Sequence, residues 1–208
     1  EALAKDGAVP VLAEAFGHGG AELTLATAPA LDVLSAVPLG REAILRGGAV
    51  PYVRALSNKN EVVQRHALHV LARLALRNDG LEAMGAANAP RPLVLLAAPN
   101  SPLARCATGV LCHLARLGKL VPALIAARAA PPFVAQLRNT TGEEAAAAAT
   151  ALRQLTSGQK DEASDDEGDE EGGGCASRRL KKQKSSALLA YVASTGADGL
   201  VAAAQAGA

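Results

Sequence analysis

The feature that most constrains this chain is a recurrence. Gly7-Ala8-Val9-Pro10-Val11-Leu12 returns 41 residues later as Gly48-Ala49-Val50-Pro51-Tyr52-Val53. A weaker copy, Asn88-Ala89-Pro90-Arg91-Pro92-Leu93-Val94, follows at a spacing of 40, and Ala129-Ala130-Pro131-Pro132-Phe133-Val134 comes 41 beyond it. Further along each unit, Leu31, Leu71, Leu111 and Leu152 keep the same step, as do Leu34, Leu74, Leu114 and Leu155. A helical period near 40 residues implies a solenoid, in which each unit buries its apolar faces only against its neighbours.

The clearest unit spans residues 47–77. It reads as a short helix opening at Pro51, a polar turn at Ser57–Asn60, and a longer helix. Proline suits a first helical turn, where its missing N–H has no intrahelical partner anyway. In the longer helix Val63, Ala67, Val70, Leu71 and Leu74 form one apolar stripe at helical spacing. Half of the residues are apolar, but only 2% are aromatic and there is no Trp. An Ala-, Leu- and Val-rich interior suits close helix packing better than sheets.

Boundary residues agree with this division. Ser101-Pro102 places a capping hydroxyl before a proline at the predicted start of the third long helix. Thr141-Gly142-Glu143-Glu144 opens the fourth with acids at its positive end. A third, short helix fits between units at 41–46, 79–86 and 119–127. Pro29 is expected to start the first long helix near Ala28, or to kink it there.

After Thr156 the period breaks. The next opening motif, Gly196-Ala197-Asp198-Gly199-Leu200-Val201, comes 67 residues after its predecessor instead of 41, which leaves an insertion of 26. The division is therefore 1–158 as solenoid, 159–184 as insertion, and 185–208 as the start of a further unit. Acids from Asp161 to Glu171, three glycines, then Arg178, Arg179, Lys181, Lys182 and Lys184 give the insertion the composition of a disordered loop. The chain begins at Glu1 without Met and reads as an excised fragment of four units and part of a fifth.

Gly-Ala-Val-Pro with an apolar short helix, a polar turn and a long helix ending Ala-Leu-x-x-Leu-Ala resembles the armadillo-repeat family over nearly the whole chain outside the insertion. Three helices per unit favour armadillo over HEAT repeats. The resemblance implies an all-α, right-handed α-solenoid of three-helix repeats. Its long helices would line a concave groove that binds extended peptides or partner proteins. It implies no catalysis and no cofactor. Many members carry an Asn ladder in the groove, but the matching positions here are Val33, Arg73, His113 and Gln154. The positions one turn earlier, where Trp is common, are Pro29, His69, Gly109 and Thr150. The fold carries over; that mode of peptide binding, and a role as transport adaptor, do not follow.

The same positions show charge instead. Arg65, His69 and Arg73 in the second unit, with Arg105, Gly109 and His113 in the third, include no acid. One reading is a cationic patch for an acidic or phosphorylated protein segment, because Arg forks match carboxylate and phosphate oxygens. The other is that Arg is a good helix former on a solvated face. Exposed ion pairs contribute roughly 0.2–1 kcal/mol each, so micromolar binding would need apolar anchors too. The tethered acids of Asp161–Glu171 could occupy the patch as a pseudo-ligand. The basic run Arg178–Lys184 resembles a nuclear-localisation stretch, and Ser164, before Asp165-Asp166-Glu167, resembles an acidophilic-kinase site.

Other chemistry finds no support. His66 and His69 lie three apart, but no Cys, third His or protease Glu stands at metal-ligand spacing, so no metal is expected. No phosphate-binding loop or nucleophile motif is present. Tyr52, Tyr191, Phe16 and Phe133 are too few to stack bases, and a net charge of +1 gives no general pull toward nucleic acid or membrane. No apolar run approaches the roughly 18 residues of a membrane span. Cys106, Cys112 and Cys175 lack disulfide spacing and read as reduced thiols, the first two as small core residues. The setting expected is intracellular, cytoplasmic over nuclear. The expected function is a non-enzymatic scaffold, with no small-molecule substrate. The alternative is the recruiting part of a larger enzyme such as a ubiquitin ligase.

Overall fold

The computed structural model describes residues 8–18 and 20–161. Within them lie eleven α-helices, one 3-10 turn and no strand. The chain opens with a short helix, α1 (Ala8–His18), and a long one, α2 (Ala21–Ala36). Three complete units follow. The first is α3 (Pro38–Gly47), α4 (Val50–Ala55) and the long α5 (Glu61–Leu74). The second is α6 (Asn78–Ala86), α7 (Pro90–Leu96) and the long α8 (Ala104–Ala115). The third is α9 (Val121–Ala126), α10 (Ala130–Asn139) and the long α11 (Glu143–Asp161). Beyond Asp161, the remainder of the expected insertion with Ser164, its pseudo-ligand arrangement and the unit expected from 185 lie outside the described residues.

The long helices stack in order: α2 on α5, α5 on α8, α8 on α11. Periodicity explains the contact. Leu31, Leu71, Leu111 and Leu152 are all buried, and so are Leu34, Leu74, Leu114 and Leu155. Fully burying one leucine contributes roughly 1.5–3 kcal/mol, so a one-residue slip in any unit would forfeit much of its stability. The stripe from Val63 to Leu74 is buried throughout. Phe16 and Tyr52 stack with ring centroids 5.6 Å apart, and Phe133 is fully buried. These aromatics serve the interior.

Side chains close the helix ends as their types suggest. Asn60 Oδ1 accepts from the Val62 amide at 2.9 Å, and Gln64 donates to the Asn58 carbonyl at 2.7 Å, holding the turn before α5. Ser101 Oγ accepts from the Leu103 amide at 3.2 Å, although the helix proper begins at Ala104. Arg41 donates to the Ser35 and Ala36 carbonyls at the end of α2. That helix starts at Ala21, well before Ala28, and carries Pro29 inside it. Thr27 Oγ1 donates to the Leu23 carbonyl at 2.8 Å in the same turn.

Two backbone devices recur with the period. Gly48, Asn88 and Arg128 all have positive φ (84°, 56° and 59°). The last two close Schellman motifs, with Ala89 N bonding Met84 O and Ala129 N bonding Leu124 O, each at 3.0 Å. The second device is a glycine near the start of the first helix of the unit. A Cβ at Gly40 or Gly80 would collide with the carbonyl oxygen of Leu34 or Leu74. The next position in the series is Leu120. There the chain makes a 3-10 turn, Gly118–Leu120, before α9 begins. The Leu120 side chain fills the space that a Cβ on Gly85 would need.

Candidate functional site

The long helices share a face set by helical spacing: Val62, Arg65, His69 and Arg73 on α5, with their counterparts on α2, α8 and α11. On this face the six candidate residues separate into three situations.

His69 and Arg73 are drawn together with His66 onto one carboxylate, Asp32 of α2. His66 Nδ1 lies 2.8 Å and His69 Nδ1 3.1 Å from Asp32 Oδ2. Arg73 Nη1 donates to Asp32 Oδ1, to the Asp32 carbonyl at 2.5 Å and to Ser35 Oγ at 2.7 Å. A carboxylate only accepts, so both imidazoles must present an Nδ1 proton. The Asp32 side chain is 13% exposed. Burial pushes its carboxyl upward, but the hydrogen bonds from His66, His69 and Arg73, with the Arg73 charge, outweigh that and hold it below its ordinary value. Asp32 thereby ties the opening helices to the first complete unit.

Arg65 and Arg105 stay outward. Arg65 Nη2 bonds Glu61 Oε1 at 2.7 Å, one helical turn away. Arg105, with 77% of its side chain exposed, grips Glu144 of α11 through Nε (2.9 and 3.0 Å) and Nη2 (2.5 Å). Each arginine of the expected cationic patch thus has an acid of this chain beside it.

His113 and Gln154 are half-buried. His113 Nδ1 and Gln154 Oε1 are buried and have no hydrogen-bond partner among the described residues. Burial, reinforced by the Arg116 charge, lowers the His113 pKa, so the ring favours its neutral form. Apolar side chains complete the face: Val33 is 69% exposed, and Leu25 and Val62 are also exposed.

Sequence reasoning missed Asp32 and Glu144. Both are off the positions compared from unit to unit, yet each lies about one period from its partner: 41 residues between Asp32 and Arg73, 39 between Arg105 and Glu144. Opposite charges one period apart are the signal that could have found them. Cys106 and Cys112 pack into or against the core. Burial pushes the Cys106 thiol up and that of Cys112 to about 12, so neither is a nucleophile near neutrality. Asp32, His66 and His69 are the one group among the described residues whose donor atoms converge as metal ligands would.

Three helices per unit, stacked through their long helices and leaving one long-helix face open to solvent, define an all-α solenoid of the armadillo type. Solved structures bear this out. An engineered protein superposes at TM-score 0.64 with 25% identity, over 76% of this chain and 68% of the other. A designed armadillo repeat protein in complex with the peptide (KR)4 superposes at TM-score 0.62 with 20% identity, over 90% and 83%. A chain from a study of the phosphorylation switch that controls the interaction between cadherin and β-catenin gives TM-score 0.57 and 15% identity, over 74% and 30%. No protein-family model and no curated protein matches the sequence.

Proposed function

We propose that this solenoid is a non-enzymatic scaffold in an intracellular, cytoplasmic setting. It binds a segment of a protein partner on the long-helix face, preferably one that combines acids or phosphate with apolar residues. The observation that carries this is the pairing of anchors on one face. Leu25, Val33 and Val62 stand exposed on the same long-helix face as two outward ion pairs, Arg65–Glu61 and Arg105–Glu144. An exposed pair contributes only roughly 0.2–1 kcal/mol, so an incoming carboxylate or phosphate can replace Glu61 or Glu144 at little cost. Arg73, held by Asp32, is not available for this exchange. Burial of the three apolar side chains supplies the affinity that the arginines lack. That structural neighbours include a peptide complex and a cadherin–β-catenin study supports the scaffold role, not the acidic preference.

The test is a degenerate peptide array of varied charge, probed with the 208-residue chain and with a Val33→Asp/Arg105→Glu double variant. The expected result is enrichment of acidic or phosphorylated segments with apolar residues, lost in the variant and weakened by salt. Equal retention by both chains, or enrichment of basic segments, would overturn the reading.

A further inference from the structure

The cluster between α2 and α5 holds more than an ion pair. We propose that Asp32, His66 and His69 form a binding site for a divalent transition metal ion of the zinc type, bridging the opening helices and the first complete unit. One donor atom from each of the three lies within 4.8 Å of the other two. The nitrogen–oxygen separations are 2.8 and 3.1 Å. In a tetrahedral site with ligands at about 2.0–2.1 Å, neighbouring donors stand about 3.4 Å apart. The two nitrogen–oxygen distances therefore open by about 0.6 and 0.3 Å when an ion takes the place of the two protons between them.

The chemistry of the set selects the ion. Two imidazoles and one carboxylate suit zinc and its neighbours, whereas calcium and magnesium prefer oxygen ligands. An ion here needs each Nδ1 free of its proton, which moves to Nε2 or leaves to solvent. The surroundings resemble a second coordination shell. Arg73 holds Asp32 Oδ1 and leaves Oδ2 to the ion, while Ser35 Oγ donates to the Asp32 carbonyl at 2.6 Å. Three protein ligands leave a fourth position for water, and His69, with 44% of its side chain exposed, marks the way in. The Arg73 charge beside the ion opposes binding, so the site is weaker than the same three ligands would be without it.

Neither histidine spacing nor local motif announces this site. It exists because the 40-residue repeat sets residue 32 opposite about one turn of α5.

The experiment uses the whole chain, stripped with chelator and titrated with Co2+, with the visible bands of the four-coordinate ion as readout and Zn2+ as competitor. Thermal unfolding with and without Zn2+ runs alongside. Expected are one saturable site, displacement by Zn2+, and a rise in Tm of several degrees. His66→Ala and His69→Ala should each weaken binding at least tenfold and abolish the Tm rise, while His18→Ala changes neither. His69 is partly exposed, so its variant should keep a cooperative melt, and that melt checks that loss of binding is not loss of fold. Absence of a four-coordinate spectrum, or equal Co2+ affinity in wild type and His69→Ala, would overturn the proposal.

Discussion

The front and rear of this solenoid solve the same problem differently. At the front, α5 is fastened to α2 by a nearly buried carboxylate that satisfies two histidines and an arginine, and the corners turn on Gly40 and Gly80. At the rear, α11 is tied to α8 by an exposed arginine–glutamate pair. There the corner carries Leu120 instead of glycine, and the turn before α10 puts Arg128 in a left-handed conformation. Equivalent positions in a repeat therefore do not carry equivalent energies. The front is built from constraints that are costly to change; the rear relies on contacts that can be exchanged.

The sharpest way to break this comparison is at the corners. Gly80→Ala drives a Cβ into the Leu74 carbonyl, and the expected loss is about 3 kcal/mol, read from the urea midpoint at constant slope. A loss below about 1 kcal/mol would show that the α5–α6 corner is soft.

Next in size is the contrast between the two acids. Asp32→Ala takes the carboxylate away from His66 and His69 and leaves Arg73 only the Asp32 carbonyl and Ser35 Oγ, for an expected loss of about 2 kcal/mol in metal-free protein. Glu144→Ala removes an exposed partner and should cost less than about 1 kcal/mol. Equal effects would erase the distinction.

A gain is expected at the third site. Arg128→Gly relieves a positive φ of 59° in a side-chain-bearing residue and should stabilise the protein by about 1 kcal/mol, seen as a higher Tm. The same change cannot be made at Gly48, which already has it.

The smallest effect concerns pH. His113 has a folded pKa below its ordinary 6.5, chiefly through burial. Its contribution to stability is therefore present above about pH 6.5 and is lost as pH falls toward the lowered value, because the unfolded ring takes up the proton first. Subtracting the stability–pH curve of His113→Gln from that of wild type should isolate this slope. A difference that is flat between pH 5 and 7, or of opposite sign, would contradict it.

Much of the fold could be read from the sequence because burial repeats with the period. The leucine series at 71, 111 and 152 and the proline-led short helices needed no tertiary information. The start of α2 did not follow, since local propensity at Pro29 gave way to packing of a full-length helix on α5. The polar face was only half legible. Comparing position with position found the arginines but not the acids opposite them, since a cross-repeat contact joins residues offset by 39 or 41 and not by an exact multiple. Arg128 was invisible for another reason: glycine and asparagine advertise a left-handed turn at 48 and 88, whereas arginine advertises nothing.

Leu120 seated over Gly85 has a practical corollary. The two modules that own these residues are keyed like tongue and slot, so the array cannot be cut and rejoined at an arbitrary multiple of its period. A spare copy spliced between them would separate the key from its slot and present a leucine to a foreign surface. Any engineered shortening or extension has to keep both on the same side of the cut.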